Sequence, residues 1–379
     1  MTQPFAFATA TEILFGRGQA VQAAGRIAAL GNRVLLVQGG NPARSDWLAR
    51  ALAGCQVTRF SVPREPDAEL VQAGVDLARQ AGVQVVVALG GGAVIDAGKA
   101  IAALMPAPRP MMDHLEVVGL GLPLDEAPLP FVALPTTAGT GAEVTRNAVI
   151  GVPDHARKVS LRDLRMLPRL AVVDPALTDH CPRAITLASG LDAITQVIEP
   201  FVSPRANPMT DALCRDAIPR GLAALIRLMA GEDAAARDEM AWVSLCGGIA
   251  LANAGLGAVH GLAGPLGGLT GAAHGAICGA LLPPVLVANR AAVADPARLD
   301  QVGRWIAGAF GLRDTALPNA ARHLAGWARQ QGLPGLRDMG IDATAQAKAA
   351  EAASSSSSMK ANPVPLSADS LRSIMEQAG

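Results

Sequence analysis

Two histidines, His260 and His274, lie in a segment whose composition suggests metal chemistry. They belong to the motif HGLAGPLGGLTGAAHG, inside Met240–Asn289, which contains no Asp, Glu, Lys or Arg. A segment without charge is expected to be buried, and a buried imidazole needs a hydrogen-bond partner or a metal ion. The pattern therefore favours two ligands of one divalent ion. Two core histidines bonded to backbone carbonyls are the alternative.

A third ligand is predicted in the motif GLDAITQVIEPFVS. Asp192 and Gln196 are four residues apart, so on a helix they share one face, and Glu199 lies near that face. A carboxylate is a suitable anionic partner for two histidines on one ion. A polar helix face exposed to solvent is the alternative interpretation.

Two other motifs resemble phosphate- or ribose-binding loops. The motif GGGAVIDAGK follows an apolar run and opens a predicted helix, and glycines there let backbone N–H groups approach a phosphate. The motif PTTAGTGAEVT follows another apolar run, and its hydroxyl groups can bind phosphate or ribose at the carboxyl edge of a sheet. The alternative interpretations involve no ligand. Asp96 would complement a helix dipole, Lys99 would lie on a solvated helix face, and the second motif would be an ordinary turn.

These motifs need a framework, and the first 180 residues predict an α/β domain. Apolar runs alternate with helical patterns, which implies a mostly parallel sheet covered by helices. The helices are predicted at Pro66–Gln80 and Ala93–Leu104. The strands are predicted at Val34–Val37, Val57–Val62, Val83–Leu89, Phe131–Leu134 and Leu170–Asp174.

Residues 181–379 predict an all-helical second domain. Strand-like runs give way to long stretches rich in Ala and Leu, and a short final helix, capped by Ser367, is expected at Ser367–Gln377. Pro219 should kink or break one of these helices. A cleft between the two domains is the expected site.

Composition narrows the class of protein. The 379 residues carry 32 basic and 32 acidic side chains, so neither nucleic acid nor an anionic membrane is favoured as a partner. The apolar segment Met240–Asn289 is long enough to suggest a membrane span. However, Gly, Pro and Asn interrupt it and no basic cluster flanks it, which argues against a span. Five scattered cysteines without a C-x-x-C motif predict reduced thiols and a cytoplasmic location. The absence of tyrosine excludes a Tyr general acid.

The four motifs, in this order and spacing, resemble the iron-containing, metal-dependent alcohol dehydrogenase family, and the likeness covers nearly the whole chain. The resemblance implies a dinucleotide-binding α/β domain followed by a helical domain, an architecture shared with dehydroquinate synthase-like proteins. It implies NAD(P), a divalent Fe²⁺ or Zn²⁺, a small alcohol or carbonyl substrate and a homodimer or larger assembly. The metal ligands that it implies are Asp192, His260 and His274. The cofactor-binding residues that it implies are Gly91, Gly92, Asp96, Thr136, Thr137, Thr140 and Lys158.

Three positions depart from the family pattern. Gln196 replaces a ligand histidine, and it is expected to be a weak ligand or to bond to water or substrate near the ion. Gly264 replaces a histidine implicated in proton relay, and Ala93 replaces a common serine. Three protein ligands and an open position still form an ordinary catalytic zinc site.

The leading interpretation is therefore a metal-dependent oxidoreductase that transfers a hydride between NAD(P)(H) and a small alcohol, aldehyde or ketone. One alternative is an enzyme of the same superfamily that acts on a carboxylated substrate, such as maleylacetate. Another is a degenerate dinucleotide-binding protein without turnover, which the replacements at Gln196 and Gly264 would explain.

Overall fold

Two compact units make up the chain. The computed structural model describes residues 4–155, 157–353 and 356–379. One unit comprises residues 9–137 and 141–179, and the other comprises residues 4–8, 138–140 and the described part of 180–379. The first unit is α/β, and the second is built from helices.

The α/β unit is organised by a parallel sheet. Its described strands are β1 Ile13–Phe15, β2 Arg33–Gly39, β3 Gln56–Val62, β4 Val85–Gly90, β5 Phe131–Pro135, β6 Asn147–Val152, β7 Arg157–Arg162 and β8 Leu170–Val173. Six of them pair in parallel in the order β1-β8-β5-β4-β2-β3. The predicted parallel sheet is thus confirmed, and each predicted strand overlaps an observed one.

Helices cover both faces of this sheet. They are α1 Gln19–Leu30, α2 Asp46–Ala51, α3 Ala68–Gln80, α4 Gly92–Leu104 and the short α5 Met111–His114. Val85 and Val87 of β4 face a core shared with α1, whereas Val86 and Ala88 face a core shared with α3 and α4. Burial on both faces explains why β4 reads as a continuous apolar run.

An antiparallel hairpin and β1 were not predicted from the sequence. The strands β6 and β7 pair with each other, with Asn147 opposite Arg162 and Val152 opposite Arg157. Their buried and exposed residues alternate, so they lack the continuous apolar runs of the central strands.

The second unit packs its helices around α6. The helices are α6 Arg183–Val202, α7 Pro208–Ala230, α8 Ala234–Ala254, α9 Ala258–Thr270, α10 His274–Ala292, α11 Ala297–Ala309, α12 Leu317–Gln330, α13 Ala343–Ala353 and α14 Ala368–Gln377. The central helix α6 packs against α7, α8 and α10 and is buried along most of its length. Ser367 caps α14 by accepting a hydrogen bond from Ser370 N at 3.1 Å, as the sequence predicts.

The expected break at Pro219 is wrong, because α7 continues through it, and the alternative of a kink stays a prediction. Proline removes one backbone donor and normally interrupts a helix. Here the flanking residues Ile218 and Leu222 are buried in the helical core, and this packing holds the helix together. Prolines also lie inside α6, α9 and α10.

One described helix, α10, is long and apolar enough to span a membrane by length and composition. A second span would require α8 and α9 together, although these helices meet at a bend of 100°. Of the apolar stretch in α10, 56% is buried inside the protein. Its buried residues include Ile277, Leu281 and Val285, which belong to the core of the helical unit.

Candidate metal centre

Helix α6 supplies three polar side chains to the interior of the helical unit. Asp192, Gln196 and Glu199 are 2%, 2% and 3% exposed. Their spacing places them on successive turns of one helix face. The alternative of a solvated polar face is therefore wrong, and all three side chains need partners within the protein.

Glu199 binds the start of α9 and orients His260. Its Oε1 accepts a hydrogen bond from Val259 N at 2.8 Å, and its Oε2 lies 2.6 Å from His260 Nδ1. Asn362 Oδ1 accepts from the adjacent Ala258 N at 3.0 Å. A Cβ at Gly257 would lie only 2.8 Å from Asn362 Oδ1, so this close approach requires glycine. With Nδ1 bonded to the carboxylate, His260 presents Nε2 to the other side.

The turn between α9 and α10 places His274 beside α6. Gly271 ends α9 with φ of +71°, a left-handed conformation that glycine adopts readily. His274 is the first residue of α10, and a Cβ at the next residue, Gly275, would lie 2.6 Å from Ala188 O on α6. Only glycine allows the two helices to approach this closely.

Four potential metal ligands converge in this part of the helical unit. One ligand atom from each of Asp192, His260, His274 and Cys278 lies within 4.8 Å of the others. Asp192 Oδ1 is 3.3 Å from His260 Nε2 and 3.9 Å from His274 Nε2. Cys278 Sγ is 3.6 Å from His274 Nε2. The three ligands expected from the sequence thus lie together, and a cysteine joins them.

This cluster fits a divalent cation. Among the described residues, the buried Asp192 Oδ1 has no hydrogen-bond partner of normal geometry. Burying a carboxylate oxygen in this way costs free energy unless a bound cation offsets its charge. Burial alone would raise the pKa of Asp192, but contact with His260 and the charge of His274 hold the pKa below its usual value. Carboxylate, imidazole and thiolate are all established ligands of transition metals.

The same negative surroundings act on the histidines. Burial alone lowers an imidazole pKa, but Cys278 and Glu199 raise the pKa of His260 well above 6.5. Cys278 and Asp192 likewise raise the pKa of His274 to about 9. The site therefore attracts positive charge, and a metal ion would displace protons from these rings.

Two of the three positions that depart from the family pattern, Gln196 and Gly264, have different surroundings. Gln196 Nε2 donates to Gly139 O at 2.8 Å, which tethers the amide to the threonine-rich loop, residues 135–145 with the motif PTTAGTGAEVT. A Cβ at Gly264 would meet no heavy atom of the described chain within 4 Å, so space is open beside α9 four residues after His260. The role of Gln196 as a weak or outer ligand stays a prediction.

Replacing Glu199 by Gln is expected to weaken metal binding roughly 10- to 100-fold, the usual effect of losing a carboxylate that orients a ligand histidine. The amide is similar in size but lacks the charge that fixes the His260 tautomer. Chelator competition on the purified protein measures the affinity, with Glu376→Gln on the exposed face of α14 as the control. Equal affinity in both variants would show that Glu199 does not prepare His260 for metal.

The predicted cofactor residues lie at two neighbouring strand ends, with three exceptions. Gly91 and Gly92 follow β4, and Thr136 and Thr137 follow the adjacent β5. A Cβ at Gly91 would lie 3.2 Å from Thr137 Oγ1, so the two loops nearly touch. Backbone N–H groups at the start of α4 and threonine hydroxyls are thereby brought together at the carboxyl edge, where α/β proteins bind nucleotides.

The remaining predicted cofactor residues have different positions. Asp96 lies half-buried on α4. Thr140 is grouped with the helical unit. Lys158 lies on β7, where its ammonium pairs with Glu65.

Lys99 is buried rather than solvated, contrary to the default expectation. It is 1% exposed, and its Nζ donates to Ala142 O, Thr145 O and Asn147 O at 2.7, 2.9 and 2.9 Å and lies 2.9 Å from Thr145 Oγ1. The ammonium thus ties α4 to the end of the threonine-rich loop and to the start of β6. The sequence gives no sign of this, because the partners are mostly backbone carbonyls.

The chain combines a parallel sheet, whose carboxyl edge carries glycine and threonine loops, with later helices that carry a cluster of metal ligands. This combination is typical of nucleotide- and metal-dependent dehydrogenases. Comparisons with known proteins agree. Residues 10–175 match the family model for iron-containing alcohol dehydrogenase. Residues 186–379 match the model for the C-terminal domain of the Fe-containing alcohol dehydrogenase family.

Individual relatives support the same assignment. A 4-hydroxybutyrate dehydrogenase of Cupriavidus necator is 35% identical over 336 residues, covering 86% of this chain and 86% of that protein. A 1,3-propanediol dehydrogenase of Klebsiella pneumoniae is 36% identical over 76% of this chain and 74% of that protein. The crystal structure of a 1,3-propanediol oxidoreductase superposes with a TM-score of 0.89 at 30% identity, over the full length of both chains.

The chain belongs to the iron-containing alcohol dehydrogenase family. This confirms the predicted family and fold, and it makes the chain a metal-dependent oxidoreductase that acts on alcohols. A divalent metal and a nicotinamide cofactor are implied by the family.

Proposed function

We propose that this protein transfers a hydride between NAD(P)(H) and a small alcohol, aldehyde or ketone, with Asp192, His260 and His274 holding the divalent metal. The convergence of these three side chains, with a buried Asp192 oxygen that has no hydrogen bond of normal geometry, carries the proposal. When bound, a divalent ion supplies Lewis acidity toward an alcohol or carbonyl oxygen, and the nicotinamide supplies the hydride.

The chain's own residues would prepare both components. Glu199 fixes the His260 ring through Nδ1, and the first turns of α9 and α10 fix the positions of the two histidines. Gly91, Gly92, Thr136 and Thr137 offer N–H and hydroxyl groups for the cofactor phosphates or ribose. We assign Asp96, Thr140 and Lys158 to the same cofactor site on the family resemblance.

Two classes of alcohol are favoured as substrates. The relative from Klebsiella pneumoniae is named for 1,3-propanediol, and the relative from Cupriavidus necator is named for 4-hydroxybutyrate, which carries a carboxylate. Steady-state kinetics with simple alcohols, diols and hydroxy acids, each with NAD and NADP, tests the proposal. Cofactor reduction with at least one alcohol is expected. Cofactor binding without turnover across the panel would instead support a degenerate protein.

The cofactor prediction follows from the end of β2. Nucleotide folds that prefer NAD usually place an acidic residue at such a strand end, where it binds the ribose and repels a 2′-phosphate. Here the chain continues as Gln38, Gly39, Gly40 and Asn41, and the hydroxyl of Ser45 donates to the Gln38 amide oxygen. This contact packs the segment that contains the exposed Arg44 against the strand end.

We therefore expect NADP to be accepted, and replacing Arg44 by Ala should lower kcat/KM for NADP about tenfold while leaving NAD unaffected. The matched control is Arg50→Ala, an exposed arginine on the neighbouring α2. A hundredfold preference of the native enzyme for NAD would show that this strand end does not determine cofactor choice.

Location and assembly are further proposals. The free cysteines Cys55, Cys181, Cys214, Cys246 and Cys278 favour the cytoplasm, where thiols stay reduced. The family resemblance favours a homodimer or larger oligomer, which analytical ultracentrifugation would detect.

A further inference from the structure

Cys278 occupies the metal cluster although the sequence pattern did not mark it as a ligand. It lies one helical turn after His274 on α10, so the two side chains share a helix face. Its side chain is buried, and its Sγ lies 3.6 Å from His274 Nε2. The imidazole expected on α6 is replaced by Gln196, whose amide nitrogen is bonded to Gly139 O.

Three separations between ligand atoms are close to those expected for four protein ligands around one ion. A tetrahedral site with bonds of about 2.0–2.3 Å separates neighbouring ligand atoms by roughly 3.3–3.8 Å. The observed separations are 3.3 Å for Asp192 Oδ1 to His260 Nε2, 3.9 Å for Asp192 Oδ1 to His274 Nε2, and 3.6 Å for Cys278 Sγ to His274 Nε2.

We propose that Cys278 is the fourth protein ligand of the divalent ion and that it makes this site select Zn²⁺ over Fe²⁺. The inference rests on the proposed metal site and specifies its ligand set as Asp192, His260, His274 and Cys278, so a substrate oxygen would bind as a fifth ligand. Gln196 then needs no place among the ligands and is left to bond to the loop at Gly139.

The chemistry of the ligands supports zinc. Thiolate is a soft ligand that favours zinc over harder ions, whereas an additional imidazole serves iron and zinc alike. Asp192 and a Cys278 thiolate together carry two negative charges, which offset both charges of the ion in a buried site. An Asp with three imidazoles would leave one positive charge instead.

X-ray absorption at the zinc edge tests the ligand set directly. The full-length protein is purified with zinc, and elemental analysis records the metal content of each sample. We expect one sulfur neighbour at about 2.3 Å from zinc in the native protein. This signal should be lost in Cys278→Ala and in Cys278→Ser. It should be retained in Cys246→Ala, which removes another buried cysteine of the helical unit.

The results distinguish a failure of the Cys278 assignment from a failure of the metal site itself. A native spectrum that shows zinc bound only to nitrogen and oxygen would overturn the role of Cys278 while leaving the metal site intact. Persistence of the sulfur signal in a folded Cys278→Ala protein would also overturn it. Failure of the native protein to retain any metal would refute the metal site itself. If both Cys278 variants fail to fold, the native spectrum still decides.

Metal competition tests the selectivity. With chelator-buffered Zn²⁺ and Fe²⁺ under anaerobic conditions, Cys278→Ala should bind Zn²⁺ at least about tenfold more weakly. Its affinity for Fe²⁺ should fall less, so the ratio of the Zn²⁺ affinity to the Fe²⁺ affinity should decrease. An unchanged ratio would overturn the assignment of selectivity to Cys278.

Discussion

Replacing His260 by Ala is expected to abolish stoichiometric metal binding, with a loss in affinity of at least about a hundredfold, or about 2.7 kcal/mol. His260 is 8% exposed and is held in place by Glu199, so the substitution removes a buried ligand nitrogen that is already oriented. Replacing His274 by Ala should also deplete the metal. Elemental analysis after dialysis measures the metal content of each protein.

The control for both variants is His323→Ala, which removes an exposed imidazole on α12. This protein should keep the native metal content. If His260→Ala and His274→Ala also keep it, the assignment of Asp192, His260 and His274 as metal ligands is wrong.

Replacing Lys99 by Met should lower the free energy of unfolding by about 3 kcal/mol or more. The substitution preserves the length of the side chain but leaves three buried carbonyls and the Thr145 hydroxyl without their cationic partner. Denaturant titration measures the loss, and the exposed Lys348→Met on α13 should change stability by less than about 0.5 kcal/mol. Equal stability of the two variants would refute this role of Lys99.

The stability difference between the native protein and Lys99→Met should also depend on pH. Burial lowers the pKa of Lys99 from 10.5 to about 8, although Asp96 and Glu143 act in the opposite direction. Between these two values the unfolded chain binds more protons than the folded chain, so stability due to this group rises with pH. The stability difference between native protein and Lys99→Met should therefore grow from about pH 8 to 10.5. A constant difference would contradict the lowered pKa.

Much of the fold follows from local sequence patterns. The central strands are buried on both faces and therefore form apolar runs, and the glycine and threonine motifs follow β4 and β5 directly. The hairpin of β6 and β7 alternates buried and exposed residues, so it gives a weaker signal. Pro219 does not break α7, because helix packing, which depends on distant residues, outweighs one missing hydrogen bond.

Some residues of the candidate site were also predictable from the sequence, and others were not. The histidines His260 and His274 were identifiable because they stand in a segment without charge. Cys278 was not, because a cysteine in an apolar helix is usually a small buried residue, although its spacing of four residues from His274 was visible. The burial of Lys99 could not be predicted, since its partners lie 43 to 48 residues further along the chain.

Metal removal and return during alcohol turnover tests the central claim most directly. The purified protein is assayed by cofactor reduction with its best alcohol, then stripped with a chelator, and then reloaded with Zn²⁺ or Fe²⁺. We expect activity to fall to background in the stripped protein and to return with one metal ion per chain. An unchanged rate in protein shown to be free of metal would contradict a metal-dependent dehydrogenase.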